Sequence, residues 1–322
     1  MSLFLLFLLI SYFLFFPQDA FEATQEGILL WFTQVLPTLL PFSVFSYVFM
    51  ESNALAAIGR RLPEHIPLYD IYILFCGFLF GFPIGSKLSA DFYKKGLISG
   101  EQAQILCTFT NNLSPMFISS YVLSQNLKQP EWILPAYGIV YLPPFFLCVI
   151  MLYAEKRRHA AYGRLKADGG KSSYAKYAGA DSSPAPVQKN KASRFHLNMQ
   201  IIDAGIINGF ELMIKLCGYI VLFRIVIAML ELLPLHSPLF ASLLFGFTEV
   251  TNGIAYLSKT MLSADIKYML SIGILTFGGF CGIAQTGSMI ADTGLSLKKY
   301  AGTKVILTVI TMAFAALFLL LA

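Results

Sequence analysis

The amino-acid sequence predicts an all-α, polytopic membrane protein. Hydrophobic residues make up 57% of its 322 residues and charged residues 13%, about half the charged share of an ordinary soluble domain. Long apolar segments follow one another along the chain, and short motifs recur in the same order in its two halves. So few polar residues cannot cover a core of this size in water, which excludes an ordinary cytosolic enzyme, a nucleic-acid-binding protein and a disordered chain. The lipid bilayer is the first predicted partner.

Nine apolar segments define the predicted membrane elements. The first is short, has no basic residue before it and no clear A-x-A cleavage site after it. We therefore predict a retained first transmembrane helix within residues 1–22, with a cleaved signal peptide as the alternative. The segments lie at residues 2–17, 26–50, 70–97, 102–124, 131–153, 203–232, 238–258, 267–290 and 303–322.

Residues 155–200 differ in composition from the rest of the chain. They are rich in Gly, Ser and Pro, and only three acidic residues oppose ten basic ones. This pattern predicts a flexible linker on the cytoplasmic side, where anionic lipid headgroups lie nearby. The basic residues are Lys156, Arg157, Arg158, Arg164, Lys166, Lys171, Lys176, Lys189, Lys191 and Arg194.

The two halves predict an internal duplication, with repeat 1 at residues 23–154 and repeat 2 at residues 201–322. The motif L-F-G-F occurs at 79–82 and 244–247, and a related T-F stretch begins at Thr108 and Thr276. These matches lie 165 and 168 residues apart, and a third match near the start of each half lies 178 residues apart. Repeats of this kind are typical of transporters.

Charge distribution predicts the topology. If segments 70–97 and 238–258 are re-entrant hairpins, each repeat crosses the membrane three times and the repeats are inverted. The protein then has about seven transmembrane helices plus two hairpins, with a cytoplasmic N-terminus and linker and a C-terminus outside. Full crossings by both segments are the alternative, but they split the basic residues between the two faces. In the hairpin topology the inside residues are Arg60, Arg61, Lys94, Lys95, Lys298, Lys299 and Lys304, and the outside residues are Lys128, Lys259 and Lys267.

Four helix breaks inside apolar segments predict a binding site at the bilayer midplane. Non-helical backbone at membrane depth must be buried in protein or line a wet cavity, and paired breaks in two repeats are typical of a substrate site. The alternative is that the glycines only permit close helix packing, in small-xxx-small patterns. The candidate substrate-binding residues are Pro83, Gly85, Ser86, Asn111, Asn112, Ser114, Thr248, Glu249, Asn252, Gly279 and Gln285.

Charged residues within the apolar segments predict a charge network. Glu211 and Lys215 are four residues apart on one helix, so they can pair. Glu249 lies at a hairpin tip, where an ionised carboxylate needs a partner, and Lys215 or Arg224 could supply one. Proton exchange at Glu249 would couple transport to the proton gradient, whereas a fixed salt-bridge cluster is the alternative.

Other chemistry has little support. The five cysteines lie in apolar runs without metal-ligand or disulfide spacing, and no catalytic triad or nucleophile elbow is present. We therefore expect no metal, no cofactor and no enzymatic activity, and no nucleic-acid partner.

A family resemblance enters at residues 81–99, G-F-P-I-G-S-K-L-S-A-D-F-Y-K-K-G-L-I-S, followed by F-T-N-N-L-S-P-M-F-I at 109–118. These stretches resemble sporulation integral membrane proteins of the YlbJ type, among the nucleoside recognition, or Gate-domain, membrane proteins. The stretch G-G-F-C-G-I-A-Q at 278–285 is similar to an element of concentrative nucleoside transporters. Ser114 stands where the family pattern has a glycine, so the turn before Pro115 is expected to differ.

The resemblance covers nearly the whole chain outside the linker. It implies a nucleoside-transporter-like gate fold in the inner membrane of Gram-positive, often spore-forming bacteria, and a role connected with spore envelope or cortex formation. It supplies no substrate.

Three functions stay open at this point. The first is a secondary transporter of a small polar solute, with nucleosides as one class, coupled to Na⁺ or H⁺. The second is a non-transporting membrane protein that supports envelope assembly through its linker. The third is a lipid translocator. Substrate identity and assembly into a homo-oligomer are open in all three.

Overall fold

The computed structural model describes residues 3–63, 66–167 and 195–321, and within these ranges the regular secondary structure is entirely helical. Five helical stretches are long and apolar enough to cross a membrane. The chain is therefore a multi-pass, all-helical membrane protein, as the composition predicts. The five stretches are Pro17–Glu51, Pro130–His159, Met199–Glu231, Ala264–Ile290 and Leu297–Leu321.

The first half begins with two helices joined at Pro17 and ends with a long one. Between them lie a third helix, which continues the second, a short fourth helix, a pair of short helices and a helix that is interrupted before a π-helical segment. The elements are α1 (Leu3–Phe15), α2 (Pro17–Leu30), α3 (Leu36–Glu51), α4 (Ala54–Gly59), α5 (Leu68–Phe80), α6 (Ile84–Lys94), α7 (Gly100–Thr110), the π-helical segment Phe117–Asn126 and α8 (Ile133–Ala167).

The second half repeats this order. A long helix is followed by a short pair, an interrupted helix and another long helix. The elements are α9 (Met199–Glu231), α10 (Pro238–Thr248), α11 (Val250–Lys259), α12 (Ala264–Phe277), α13 (Gly279–Ile290) and α14 (Leu297–Leu321).

Several contacts between an element of the first half and one of the second half have a counterpart, in which the two equivalent elements come from the opposite halves. Helix α6 contacts α13, and the equivalent α11 contacts the π-helical segment. Helix α7 contacts α14, and the equivalent α12 contacts α8. The pairs α3–α9 and α8–α14 join equivalent helices. Such an exchange is expected of two repeats related by a pseudo-two-fold axis.

Each short helix pair forms a hairpin. Helices α5 and α10 have 13 and 11 residues, or about 20 and 17 Å, which is less than the ~30 Å hydrocarbon core of a bilayer. In the second hairpin the two helices touch at glycines. A Cβ atom on Gly253 would lie 2.1 Å from the Cα of Gly246, so only glycine allows this approach.

The interrupted helices occupy the centre of the protein. Residues 105–110 of α7 and 270–277 of α12 are all buried. A helix that is buried on every side belongs to the interior of a bundle. Both interruptions therefore lie in the interior of the protein.

Helix α8 extends beyond the predicted start of the linker at residue 155. Its carboxylate at Glu155 is buried, accepts a hydrogen bond from Ser99 Oγ at 3.1 Å and lies 3.1 Å from His159 Nε2. These contacts hold this turn in helical form. Residues 168–194 of the predicted linker lie outside the described residues, and α9 already begins at Met199, before the predicted linker end at residue 200.

Candidate functional site

The first interruption follows α7. A capping box formed by Ser99 and Gln102 starts this helix, and Asn111 ends it with ψ at 72°, outside the helical region. Residues 111–114 carry no regular structure before the π-helical segment. Asn111 and Asn112 are 1% and 3% exposed. Two amide side chains and an open helix end are thus buried at the centre of the bundle.

Both asparagines are hydrogen-bonded, and Asn111 reaches the other repeat. Its Nδ2 donates to Thr286 Oγ1 on α13 at 2.7 Å and to the hydroxyl of Tyr300 on α14 at 3.1 Å. Asn112 Nδ2 donates to the backbone oxygen of Phe109 at 2.7 Å. The Oδ1 atom of Asn111 has no hydrogen-bond partner among the described residues.

A buried lysine completes this cluster. Lys304 on α14 is 1% exposed, and its Nζ donates to Asn112 Oδ1 at 2.9 Å. Its Nζ also lies 5.7 Å from the ring centroid of Tyr300, one turn earlier on the same helix face. Among the described residues no carboxylate forms an ion pair with this amine.

The position of Lys304 corrects the sequence interpretation. That interpretation counted Lys304 among the basic residues at the cytoplasmic surface, whereas the structure buries it within the helix bundle. It is the eighth residue of α14, so it lies about 10 Å along the helix axis from Leu297. That depth brings it level with the interruption after α7. Tyr300 was not among the predicted site residues, and its four-residue spacing from Lys304 was the available signal.

We call Asn111, Asn112, Thr286, Tyr300 and Lys304 the inter-repeat polar cluster. Two of its members are on the first repeat and three on the second. Asn111 is hydrogen-bonded to Thr286 and Tyr300, and Asn112 to Lys304, whose amine lies near the Tyr300 ring and so joins the two groups. An ammonium has three N–H donors, so Lys304 can donate further bonds. With the unpaired Asn111 oxygen, the cluster can therefore offer both a donor and an acceptor to a small polar molecule.

The first hairpin forms one wall of the cluster. The Phe82 N–H donates to the backbone oxygen of Asn112 at 2.6 Å. A Cβ atom on Gly85 would lie 2.5 Å from Thr110 Oγ1, and one on Gly81 would lie 2.6 Å from the backbone nitrogen of Ser114. Gly85 is thus a packing position, as the alternative interpretation of the glycines expected.

The other predicted residues of the first repeat bond locally. Ser86 is fully buried and donates to the backbone oxygen of Pro83 at 2.8 Å. Ser114 accepts a bond from the Phe117 N–H at 3.3 Å, which caps the π-helical segment. These residues shape the wall around Asn112.

Glu249 caps helix α11. Its carboxylate accepts the N–H groups of Thr251 and Asn252 at 2.9 and 2.8 Å and the side-chain amide of Asn252 at 2.7 Å. Thr248 donates back to the oxygen of Leu244 at 2.7 Å. The tip of the second hairpin is therefore closed on itself.

The predicted charge network forms only in part: the Glu211–Lys215 pair is present, and the link to Glu249 is not. Lys215 pairs with Glu211 at 3.0 Å, with 51% and 61% of the two side chains exposed, while Arg224 pairs with Glu26 at 2.6 Å. Neither cation pairs with Glu249. The physical reason is local: two backbone N–H groups at the start of α11 and the side-chain amide of Asn252 already supply the carboxylate with three donors.

The second interruption is built on glycine. Gly278 and Gly279 have φ of +79° and +70°, a region that favours glycine, and a Cβ on Gly279 would lie 3.3 Å from the backbone oxygen of Thr248. Gln285 is buried, and its Nε2 lies 3.2 Å from Cys281 Sγ. The structure thus places Gln285 one residue before the cluster member Thr286, but with a separate partner.

Comparison with known proteins gives one relative. No family model matches the chain, and no solved structure matches it. The chain is 24% identical to the sporulation integral membrane protein YlbJ of Bacillus subtilis (strain 168), over an alignment of 331 residues that covers 91% of this chain and 78% of the relative. This similarity supports a YlbJ-type membrane protein. The unaligned tenth is smaller than either repeat, so the similarity to YlbJ includes parts of both.

Proposed function

We propose that this YlbJ-type protein is a secondary transporter of a small polar solute, which binds at the inter-repeat polar cluster. The observation that carries the proposal is the bond between the buried amine of Lys304 and Asn112 on the other repeat. Burying an ammonium at membrane depth costs free energy, and packing alone does not require it. Such groups are expected where a membrane protein handles a solute or ion.

The hydrogen-bonding capacity of the cluster limits the solute. The remaining N–H groups of Lys304 can donate to an acceptor on the solute, and the unpaired oxygen of Asn111 can accept from a donor on it. Nucleosides, nucleobases and amino acids carry both kinds of group on one molecule. A dicarboxylate would satisfy the amine alone.

Transport requires the cluster to open, because its side chains are now enclosed. The contacts that would part lie between the hairpin of one repeat and the interrupted helix of the other. The Phe82 ring packs on Gly282, and Tyr121 OH donates to the Thr251 oxygen at 3.0 Å. Parting these contacts one at a time would open the site toward alternate sides, as a rocking motion of the two repeats requires.

Coupling to protons is favoured over coupling to Na⁺. The amine of Lys304 donates to the amide oxygen of Asn112, so this oxygen is not free to coordinate Na⁺, and the amine can exchange a proton with water when the site opens. The coupling role moves from Glu249 to Lys304, since the carboxylate of Glu249 is used as a helix cap.

We also propose the finer topology of seven transmembrane helices and two re-entrant hairpins, with the N-terminus and linker cytoplasmic and the C-terminus outside. The short hairpin helices and the exchanged contacts between halves support it. Alkaline phosphatase, which is active only outside the cytoplasm, would be active when fused after residue 322 and inactive when fused at residue 180. The opposite pattern contradicts this orientation.

A role in sporulation is proposed from the relative, whose name describes a sporulation integral membrane protein. A transporter of this type would move a solute across the membrane while the spore envelope forms.

The test is solute-driven proton flux in proteoliposomes that contain a trapped pH-sensitive dye. The panel holds nucleosides, nucleobases, amino acids and dicarboxylates, with Na⁺ present or absent. We expect one class to acidify the lumen saturably with wild-type protein and not with Asn112→Ala, while Lys215→Met keeps the wild-type flux. If no panel solute, followed either by the dye or by a radiolabel, is transported, the proposal is wrong.

A further inference from the structure

A deep groove runs between α5 and α8 on the outside of the bundle. Its volume is about 880 Å³. Between its two ends the lining side chains are apolar, among them Ile71, Leu74, Phe75, Leu79, Phe145 and Val149. Several of these are more than 40% exposed, so the groove opens sideways toward the surrounding bilayer.

The length of the groove matches one leaflet. On α8 its lining extends from Tyr141 to Lys156, which is about 22 Å along the helix axis. Half of the ~30 Å hydrocarbon core is about 15 Å, and the rest reaches the headgroup region. At the deep end the Phe78 ring packs against the rings of Tyr141 and Phe145, at 5.8 and 6.1 Å.

The outer end of the groove is basic. Lys156 lines it, 46% exposed and 3.5 Å from the buried carboxylate of Asp70. The guanidinium of Arg157 lies 4.7 Å from the centroid of the Tyr153 ring, which also lines the groove. Among the described residues no carboxylate pairs with Arg157, whereas the neighbouring Arg158 pairs with Glu101. An ammonium paired with Asp70 thus lines the mouth, and the Arg157 guanidinium lies beside it on the Tyr153 ring.

We propose that this groove binds one phospholipid with an anionic headgroup. An acyl chain lies along the apolar lining, and the phosphate lies between Lys156 and Arg157. The apolar length, the closed deep end and the basic mouth all fit this occupant, since basic side chains at the membrane surface attract anionic headgroups. The inference does not depend on the transport proposal, because the groove shares no residue with the inter-repeat polar cluster.

Native mass spectrometry of the purified, delipidated protein tests this site. Dioleoyl phosphatidylglycerol is titrated against dioleoyl phosphatidylcholine, which has the same chains, and against inorganic phosphate. We expect one phosphatidylglycerol to bind roughly tenfold more tightly than phosphatidylcholine, because each of the two basic groups contributes up to about fivefold. Inorganic phosphate alone should not bind.

Two variants separate the groove from general lipid contact. Arg157→Ala should weaken phosphatidylglycerol binding about fivefold. Val149→Trp should fill the groove and abolish the single-lipid peak, whereas Val305→Trp, on another membrane-exposed helix face, should leave it unchanged. Each variant is first checked for an unchanged unfolding temperature in lipid-free detergent.

Three outcomes overturn the proposal. They are equal binding of the two lipids, equal loss in the two tryptophan variants, and wild-type affinity in Arg157→Ala. Arg157 is exposed, so its variant tests the site even if Val149→Trp does not fold.

Discussion

A double-mutant cycle on Asn112 and Lys304 tests how the two repeats are joined. Asn112→Leu removes the amide oxygen that lies 2.9 Å from Lys304 Nζ. The amine is 1% exposed and has no carboxylate partner among the described residues, so the variant leaves a buried cation uncompensated. Leaving a buried charged donor without its acceptor in this way costs about 3 kcal/mol or more.

Lys304→Met is expected to cost much less. It leaves the Asn112 oxygen unpaired, which costs about 1–3 kcal/mol, but it also removes the desolvation cost of the charge, which offsets that loss. The variant that carries both changes removes both partners together. Its free energy of unfolding should therefore be close to that of Lys304→Met alone. Adding Lys304→Met to Asn112→Leu should thus restore most of the stability that Asn112→Leu loses. We expect a coupling free energy of about 2 kcal/mol or more.

The assay is reversible unfolding in mixed detergent micelles, with helix content as the signal and the free energy of unfolding extrapolated for all four proteins. Lys215→Met serves as the control, since its exposed pair with Glu211 should contribute under about 1 kcal/mol. Costs that add to within about 0.5 kcal/mol would refute the reasoning, because independent sites behave in that way.

Three further predictions concern the remainder of the fold. Gly253→Ala should prevent folding or lower the free energy of unfolding by about 3 kcal/mol or more, because its Cβ would overlap backbone atoms; Gly218→Ala, which meets no atom within 4 Å, should be neutral or stabilising in the same assay. Glu249→Ala should cost about 1–2 kcal/mol through loss of the α11 cap, and a loss under about 0.3 kcal/mol would show that the cap is unimportant. Deletion of residues 168–194 should leave solute-driven flux in proteoliposomes unchanged, whereas loss of flux would favour a functional linker.

The sequence predicts the breaks well because their causes are local. Proline and glycine weaken a helix through their own backbone chemistry, so the interruptions at Pro83 and Gly278 and the non-helical Asn111 could be located without coordinates. The same signal is not sufficient by itself, because Pro41, Pro143 and Pro144 lie inside continuous helices. The all-helical membrane class follows equally directly from composition. For the glycines of the first hairpin, the sequence allowed either a binding or a packing role. The structure favours packing at Gly85, because a Cβ atom there would lie 2.5 Å from Thr110 Oγ1.

The partner of each charged residue could not be predicted from its neighbours in sequence. Lys304 is 192 residues from Asn112 along the chain, and a lysine close to a helix start has the pattern of an ordinary flanking charge. Glu249 shows the converse case. Its partners are two and three residues away. The prediction considered only cationic side chains as partners and left out the backbone N–H groups at the start of the next helix.

The central claim is that the inter-repeat polar cluster binds a solute, and a thermal-shift screen of the detergent-purified protein tests it most directly. The panel contains nucleosides, nucleobases, amino acids and dicarboxylates, and the proteins are wild type, Lys304→Met and Lys215→Met. A ligand that binds only the folded state raises the unfolding temperature in proportion to its occupancy. We predict a saturable rise for one solute class in wild type and Lys215→Met and none in Lys304→Met. A rise of the same size in all three proteins would place the solute elsewhere and contradict the claim.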